Sequence, residues 1–202
     1  MKKLFGNFWI FLVDRFTGRN AKNFEVYNEV MTIPNLVTIN GILLTLLYVV
    51  MYSFGLVISL IPVVVVLIVL TDALDGYCAD RFNQHSQYGK VLDPLRDRLF
   101  TLALLGNIWL IAGNEVLLTM IVIVLLEINL ALHYRRVFLS TGKIAEVHWL
   151  GKARSALQWL LGFGILIQFY WLGVTYISPA SVVLVMFMAS FAVNLNTFVF
   201  RR

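Results

Sequence analysis

Charge and cysteine are scarce in this 202-residue sequence. Only 13% of its residues are charged, whereas ordinary soluble domains have about a quarter. Cys78 is the single cysteine, so no intrachain disulfide can form and nothing indicates a disulfide-stapled secreted fold. No Gly-rich or Pro-rich linker interrupts the chain. We therefore expect one domain over residues 1–202.

Hydrophobic residues, in contrast, make up 60% of the chain. A soluble core of this size cannot bury that many, and a lipid bilayer is the natural solvent for them. A membrane-spanning helix needs about 20 mostly apolar residues. The sequence predicts an all-α integral membrane protein whose residues 34–202 form six transmembrane helices. The predicted spans are Leu36–Tyr52, Leu56–Tyr77, Gly89–Ala112, Val116–Phe138, Trp149–Tyr170 and Pro179–Phe200.

Residues 1–33 form a separate cytoplasmic or interfacial segment in this prediction. Aromatic and aliphatic residues recur there at helical spacing, which predicts an amphipathic helix in the membrane interface; a loosely ordered hydrophobic tail is the alternative. These residues are Phe5, Phe8, Trp9, Leu12 and Phe16. The stretch Met1–Val13 superficially resembles a signal peptide. Asp14 and Arg15 follow it without a small-residue cleavage pattern, so we expect none.

The basic residues indicate the orientation. None of the sixteen Lys and Arg residues lies in the predicted loops between spans one and two, three and four, or five and six. By the positive-inside rule, we expect both termini on the cytoplasmic side of a bacterial-type cell membrane. The net charge of +5 thus reflects the orientation of the chain in the membrane, and we expect no nucleic-acid partner. The same charges could attract anionic head groups and phosphorylated substrates.

Five of the eleven acidic residues fall within Asp72–Asp97, close to the cytoplasmic ends of two predicted spans. Asp72 and Asp75 are three residues apart, and Asp93 and Asp97 are four apart, so each pair shares a helical face. Carboxylates in a membrane are costly and are functional by default. Four that converge would repel unless cations joined them. Two Mg²⁺ or Mn²⁺ ions would suit these oxygen ligands and keep coordination positions for a diphosphate.

Two other interpretations of the acidic cluster stay open at this point. The carboxylates could simply pair with neighbouring basic residues at the interface, namely Arg81, Lys90, Arg96 and Arg98. They could also line the cation pathway of a small transporter. Transporters often contain inverted repeats, and no repeat relates the two halves of this chain.

The order of residues in this region resembles the signature of the CDP-alcohol phosphotransferase family, D-x2-D-G-x2-A-R-x8-G-x3-D-x3-D. Seven of the eight fixed positions match with the correct spacing, at Asp72, Asp75, Gly76, Ala79, Gly89, Asp93 and Asp97. The signature arginine falls at Asp80, and Arg81 is its neighbour. Two further stretches, Thr32–Thr38 and Trp149–Gln158, are similar to elements of the phosphatidylglycerophosphate synthase branch.

The resemblance implies a phosphatidyltransferase that moves a phosphatidyl group from CDP-diacylglycerol to an alcohol and releases CMP. The four aspartates would hold two divalent ions. Asp97 and Asp93 would be the catalytic residues, and Asp97 would act as the general base that takes the proton of the acceptor hydroxyl. Nucleotide-binding positions would be Asp75, Gly76, Ala79, Arg81, Gly89, Asn35 and Thr38. For Gly76 and Ala79 the alternative role is close helix packing. For Asn35 and Thr38 it is helix capping and backbone hydrogen bonding.

The acceptor is expected to be glycerol 3-phosphate. Inositol phosphate, phosphatidylglycerol (in a cardiolipin synthase) and serine remain alternatives with the same chemistry. Candidate acceptor-binding residues are Arg135, Arg136, Lys152, Arg154 and Glu127, since Arg matches phosphate geometry well. The basic residues could instead serve topology alone, and Glu127 could be a protonated core residue. The resemblance also implies a homodimer with its active site facing the cytoplasm. Asp80 leaves open a non-catalytic relative that only binds CDP-lipid.

Overall fold

The backbone of a chain in lipid must satisfy its own hydrogen bonds, which favours helices throughout. A computed structural model describes residues 32–82, 89–141, 149–174 and 176–199. The described residues contain six long helices. They are α1 (Ile33–Phe54), α2 (Ile61–Phe82), α3 (Gly89–Ala112), α4 (Leu117–Thr141), α5 (Trp149–Ile167) and α6 (Pro179–Val199).

The membrane class of the fold is confirmed. Five helical stretches are long and apolar enough to cross a bilayer, and one of these, Leu92–Val137, includes most of both α3 and α4. Many large apolar side chains are exposed along the helices; Leu118 is 75% exposed. Such a surface is unusual in water and ordinary in lipid. The number of crossings stays a prediction, and the predicted amphipathic helix lies outside the described residues.

Local sequence signals set the start and end of α1. The Thr32 side chain caps its first turn by accepting a hydrogen bond from the Asn35 backbone N–H at 3.4 Å. Pro34 lies in the same first turn, where a missing N–H costs little. Gly55 ends the helix with φ of 66°, a left-handed conformation that glycine adopts without strain.

The second helix begins later than the sequence predicted. The predicted span started at Leu56, whereas α2 starts at Ile61. The residues between form a turn, in which Val57 has a positive φ of 40° and Ile58–Leu60 make one 3₁₀ turn. Apolar composition alone does not distinguish such a turn from a helix, which explains the error. By contrast, α3 has the predicted bounds, and α5 and α6 begin at the predicted residues.

The helices pack into one bundle with an apolar half and a polar half. Helix α1 packs against α2 and α3, while α6 packs against α4 and α5. The apolar core lies between them, and its fully buried members include Tyr48, Val65, Phe100, Ile108 and Leu166. Beyond this core, towards the end of α2 and the start of α3, buried side chains become polar or charged. The packing therefore brings the acidic residues of two helices together.

Candidate active site

The four aspartates lie where the end of α2 meets the start of α3. Asp72 and Asp75 occupy the last three turns of α2, and Asp93 and Asp97 occupy the first three turns of α3. The spacings of three and four residues turn each pair to one face of its helix. The two faces are directed at each other, because both pairs contact the side chains of Arg96 and Thr38. The predicted acidic cluster is thus a structural unit.

Arg96 is the first of these shared partners. Its guanidinium forms ion pairs with Asp72 and Asp75 of α2 and, at 3.0 Å, with Asp97 of α3. Only 2% of the Arg96 side chain is exposed. The planar fork of a guanidinium can serve several carboxylates at once. Arg96 therefore joins the two helices through the acidic residues themselves.

Thr38 is the second shared partner, and it brings α1 into the site. Its hydroxyl oxygen lies 3.0 Å from Asp75 Oδ2 and 3.3 Å from Asp93 Oδ1. It also lies 3.1 Å from the carbonyl oxygen of Pro34, one turn earlier. A hydroxyl has one proton to donate, so it serves one of these acceptors at a time. Thr38 can therefore contact the aspartates, as its proposed site role requires, and can also form the backbone hydrogen bond to Pro34 that was its alternative role.

The cluster is open on one side and closed on the other. The side chains of Asp72 and Asp97 are 39% and 34% exposed, whereas that of Asp75 is 8% exposed. Asn35 and Thr38 are buried at the start of α1, and Thr38 contacts Asp75 from there. A ligand can therefore reach the cluster from the side of Asp72 and Asp97, while Asp75 forms its floor.

Open space lies beside Gly76, one residue after Asp75. A Cβ built on Gly76 would meet no described atom within 4 Å, apart from its chain neighbours and the backbone of its own helix. Gly76 is thus not a point of close helix packing in the described part of the chain, which was the alternative to nucleotide binding. Ala79 is half-buried one turn later, and Arg81 is exposed in the last turn of α2. The side chain of Asp80 lies outside the described residues.

The remaining predicted site residues lie at the start of α3, at the end of α4 and on α5. Gly89 is the first residue of α3 and is half-buried. Arg135 and Arg136 are exposed in the last two turns of α4. The side chain of Lys152 lies outside the described residues.

A second charged group joins α4 and α5. Arg154 donates a hydrogen bond from Nη1 to Glu127 Oε1 at 2.5 Å, and the two side chains are 9% and 10% exposed. The Nε atom of Arg154 is buried and has no partner among the described residues. Arg154 is thus a nearly buried cation with a spare donor.

The donor chemistry of the cluster suits a hard divalent cation. Carboxylate oxygens are preferred ligands of Mg²⁺ and Mn²⁺, and three of the aspartates already share one protein cation, Arg96. As the side chains stand, no three acidic, imidazole or thiolate groups in the described ranges are arranged to hold one metal ion. The four carboxylates are thus suitable ligands for a divalent cation, although three of them contact the Arg96 guanidinium in this structure.

Sequence reasoning underrated Arg96 and missed a polar face on α6. Arg96 lies three residues after Asp93, and its pairing with the aspartates was only one of four such pairings that the sequence offered. On α6, Ser190, Asn194 and Thr197 are buried. Their spacing of four and three residues within an apolar helix was the available signal. Ser190 accepts a hydrogen bond at 2.8 Å from Gln158 Nε2, which lies one turn after Arg154 on α5.

Comparisons with known proteins place this geometry in context. A family model described as CDP-alcohol phosphatidyltransferase matches residues 31–199. A CDP-diacylglycerol–glycerol-3-phosphate 3-phosphatidyltransferase of Aquifex aeolicus is 38% identical over 76 residues, which are 35% of this chain and 39% of that protein. A Pseudomonas fluorescens protein of the same name is 32% identical over 104 residues, 44% of this chain and 53% of its own.

A plant protein shows that similarity extends to another acceptor. An Arabidopsis thaliana protein named for CDP-diacylglycerol–inositol 3-phosphatidyltransferase activity is 36% identical over 67 residues, 33% of this chain and 28% of its own length. The chain thus spans about half or less of the length of these relatives.

Proposed function

The chain belongs to the CDP-alcohol phosphatidyltransferase family, and on this basis we propose that it transfers a phosphatidyl group from CDP-diacylglycerol to glycerol 3-phosphate with release of CMP. The observation that carries the proposal is the convergence of Asp72, Asp75 and Asp97 on one cation, with Asp93 joined to Asp75 through Thr38. Residues that are distant in the sequence thereby form one acidic site with an open side. Two relatives named for this reaction support the choice of acceptor.

The four aspartates would hold two divalent ions, Mg²⁺ or Mn²⁺. Bound there, such ions would neutralise the diphosphate of the CDP-lipid and stabilise the departing CMP. The Thr38 hydroxyl lies 3.0 Å from Asp75 and 3.3 Å from Asp93 and can donate its one proton to either carboxylate. Thr38 therefore reaches the floor of the site from a third helix, and Asn35 is buried one turn earlier on the same helix.

Asp97 is the proposed general base. Its carboxylate is 34% exposed on the open side of the cluster, where an acceptor hydroxyl can approach it. The hydroxyl oxygen of the acceptor forms a bond to the lipid-side phosphorus, and Asp97 takes the hydroxyl proton. The bond from that phosphorus to the CMP oxygen breaks, and CMP leaves with the electron pair. Asp93, one helical turn before Asp97, keeps α3 tied to α1 during the reaction.

The nucleotide is proposed to lie along the end of α2. The open space beside Gly76 lets a flat ring approach the helix backbone, which a larger side chain would prevent. Ala79, one turn later on α2, is also small enough to let the nucleotide approach. The exposed Arg81 would contact the phosphates of the CDP group. Gly89, the first residue of α3, is also proposed to contact the nucleotide.

Arg154 is the proposed anchor of the acceptor phosphate. Glu127 fixes one arm of its guanidinium, and the buried Nε remains as a donor without a partner in the described part of the chain. An arginine whose orientation is set by a carboxylate is well suited to a phosphate oxygen. The exposed Arg135 and Arg136, together with Lys152, would draw the anion towards it. This arrangement favours a phosphorylated acceptor over serine.

The membrane orientation and the assembly state are part of the proposal. The basic residues at the ends of α2 and α4 and at the starts of α3 and α5 favour a cytoplasmic location for this side of the bundle. Both termini would then be cytoplasmic, and the active site would face the cytoplasm. A homodimer is proposed from the family resemblance, and light scattering of the purified protein in detergent tests it.

A non-catalytic CDP-lipid-binding protein is the second candidate. Two observations favour it: Asp80 stands where the family signature has arginine, and Arg96 occupies the centre of the acidic cluster. In this case the guanidinium would permanently replace the metal ions. CDP-diacylglycerol would then bind without release of CMP.

An acceptor panel tests the proposed function. Purified protein with CDP-diacylglycerol and Mn²⁺ is offered glycerol 3-phosphate, inositol phosphate, phosphatidylglycerol or serine in separate reactions, and CMP is measured. CMP release with glycerol 3-phosphate alone is the expected result. Release with a different acceptor alone would correct the substrate. Binding of the CDP-lipid without release in any reaction would favour the non-catalytic candidate.

A further inference from the structure

We propose that Arg96 is an internal cation that competes with divalent metal for the aspartate cluster, so that metal binds only as the guanidinium leaves Asp72, Asp75 and Asp97. This inference deepens the proposed function and rests on it, because the aspartates are metal ligands only within that proposal. Arg96 is therefore a positioning residue that controls how the cluster exchanges one cation for another.

The charge and burial of Arg96 are the first observations. Its side chain is 2% exposed and contacts three carboxylates from two helices. A buried carboxylate without a cation or donors is costly. With metal absent, the guanidinium supplies the positive charge that allows Asp72, Asp75 and Asp97 to lie together. Arg96 thus has the electrostatic role that a bound cation would otherwise have.

The packing around the Arg96 stem is an independent observation. A Cβ built on Gly41 of α1 would lie 2.9 Å from Arg96 Cδ and 2.7 Å from Thr71 Oγ1. Thr71 turns its hydroxyl back onto the carbonyl of Ile68 at 2.6 Å. The stem of Arg96 therefore runs through a slot beside Gly41, and a side chain at residue 41 would partly fill that slot. Its inward position is set by neighbouring helices and differs from a chance pairing at the membrane surface.

The guanidinium and a metal ion would use the same oxygen atoms. Arg96 contacts Oδ1 of Asp72, Oδ2 of Asp75 and Oδ1 of Asp97. Octahedral Mg²⁺ requires carboxylate oxygens at about 2.0–2.1 Å. Two cations so close together would also repel each other strongly in this weakly polar environment. Binding of one therefore weakens binding of the other, and by linkage the effect is reciprocal.

The test measures Mn²⁺ binding without turnover. Wild type and Arg96→Gln are titrated with Mn²⁺ in detergent, and free Mn²⁺ is followed by electron paramagnetic resonance. Removing the competing charge is expected to tighten Mn²⁺ binding on the order of tenfold to a hundredfold. Without metal, Arg96→Gln is expected to melt at a lower temperature than wild type, and Mn²⁺ is expected to restore more of its stability.

Two further variants make the result specific. Lys3→Gln removes one positive charge at a residue far along the sequence from the aspartates and without a proposed role in the site, and it should leave Mn²⁺ affinity at the wild-type value. Arg96→Lys keeps the charge and loses the bidentate fork; its Mn²⁺ affinity is expected between those of wild type and Arg96→Gln. It also serves as the test if Arg96→Gln does not fold.

The outcomes separate this inference from the proposed function. Equal or weaker Mn²⁺ binding by both Arg96 variants overturns the competition, and the proposed function stands if wild type still releases CMP. Absence of Mn²⁺ binding in wild type and in the variants overturns the competition and the metal-dependent chemistry together. Tighter binding by the Arg96 variants, with Lys3→Gln unchanged, is the result that the competition predicts.

Discussion

Arg96 and Asp75 form an ion pair between α3 and α2, and both side chains are buried. Asp75 also accepts a hydrogen bond from Thr38 of α1 at 3.0 Å, so three helices meet at one carboxylate. Removing either partner would leave a buried charge without full compensation. The relationship explains how a small bundle holds several acidic groups in an otherwise apolar region.

Replacing Asp97 with Asn tests the proposed base. The amide keeps the size of the side chain and cannot take a proton from the acceptor. We expect kcat for CMP release to fall on the order of 10²- to 10⁴-fold. The matched control is Glu115→Gln, which neutralises an exposed acid in the turn between α3 and α4 and should retain wild-type kcat. Near-normal turnover by Asp97→Asn would refute the assignment.

A leucine at Gly76 tests the proposed nucleotide position. Gly76 is exposed, and a Cβ there meets no described atom within 4 Å, so the fold should persist. The same space would no longer be available to the nucleotide, and KM for CDP-diacylglycerol should rise by about tenfold or more. Gly164→Leu is the control, since a Cβ at Gly164 of α5 also meets nothing within 4 Å among the described residues. An unchanged KM in Gly76→Leu contradicts the assignment.

Arg154→Gln tests the acceptor anchor. Loss of a charged hydrogen bond to the phosphate should raise KM for glycerol 3-phosphate on the order of tenfold to a hundredfold. KM for CDP-diacylglycerol should stay at the wild-type value, which separates this effect from a general loss of structure. Steady-state kinetics with each substrate varied in turn gives both values. If both KM values rose together, Arg154 would have a structural role only.

Gly162→Ala tests the close packing of α5 against α3. A Cβ at Gly162 would overlap the side chain of Leu104, which is part of the buried core. Overpacking of this kind should lower the free energy of unfolding by about 1–3 kcal/mol. Gly164→Ala, two residues later in the same helix, has space for the methyl group and should be neutral or slightly stabilising. Thermal melting in detergent compares the two variants, and equal melting temperatures would contradict the packing argument.

The acidic cluster could be predicted because its residues obey helical spacing in a setting where charge is costly. Asp72, Asp75, Asp93 and Asp97 fall on facing sides of α2 and α3, as their separations of three and four residues indicated. The bounds of α3 were also predicted: the helix begins at Gly89, where the chain returns from the loop after Arg81, and it ends one residue before Gly113. These features depend on local sequence and on burial alone.

The central position of Arg96 could not be predicted in the same way. The sequence offered Arg81, Lys90, Arg96 and Arg98 as equal candidates for pairing with the aspartates. What distinguishes Arg96 is the slot beside Gly41 and Thr71, which lie on two other helices. The late start of α2 has a similar origin, since the turn at Val57 is as apolar as a helix. Both depend on tertiary packing and backbone conformation, which residue spacing does not contain.

The proposed reaction can be measured as transfer of labelled glycerol 3-phosphate into lipid. Purified protein is incubated with CDP-diacylglycerol, labelled glycerol 3-phosphate and Mn²⁺, and the lipid fraction and free CMP are measured together. Labelled lipid and CMP are expected in equal amounts, and both should be lost when a chelator removes the metal. A lipid fraction without label, together with no CMP, from folded protein that still binds CDP-diacylglycerol would contradict the proposed function.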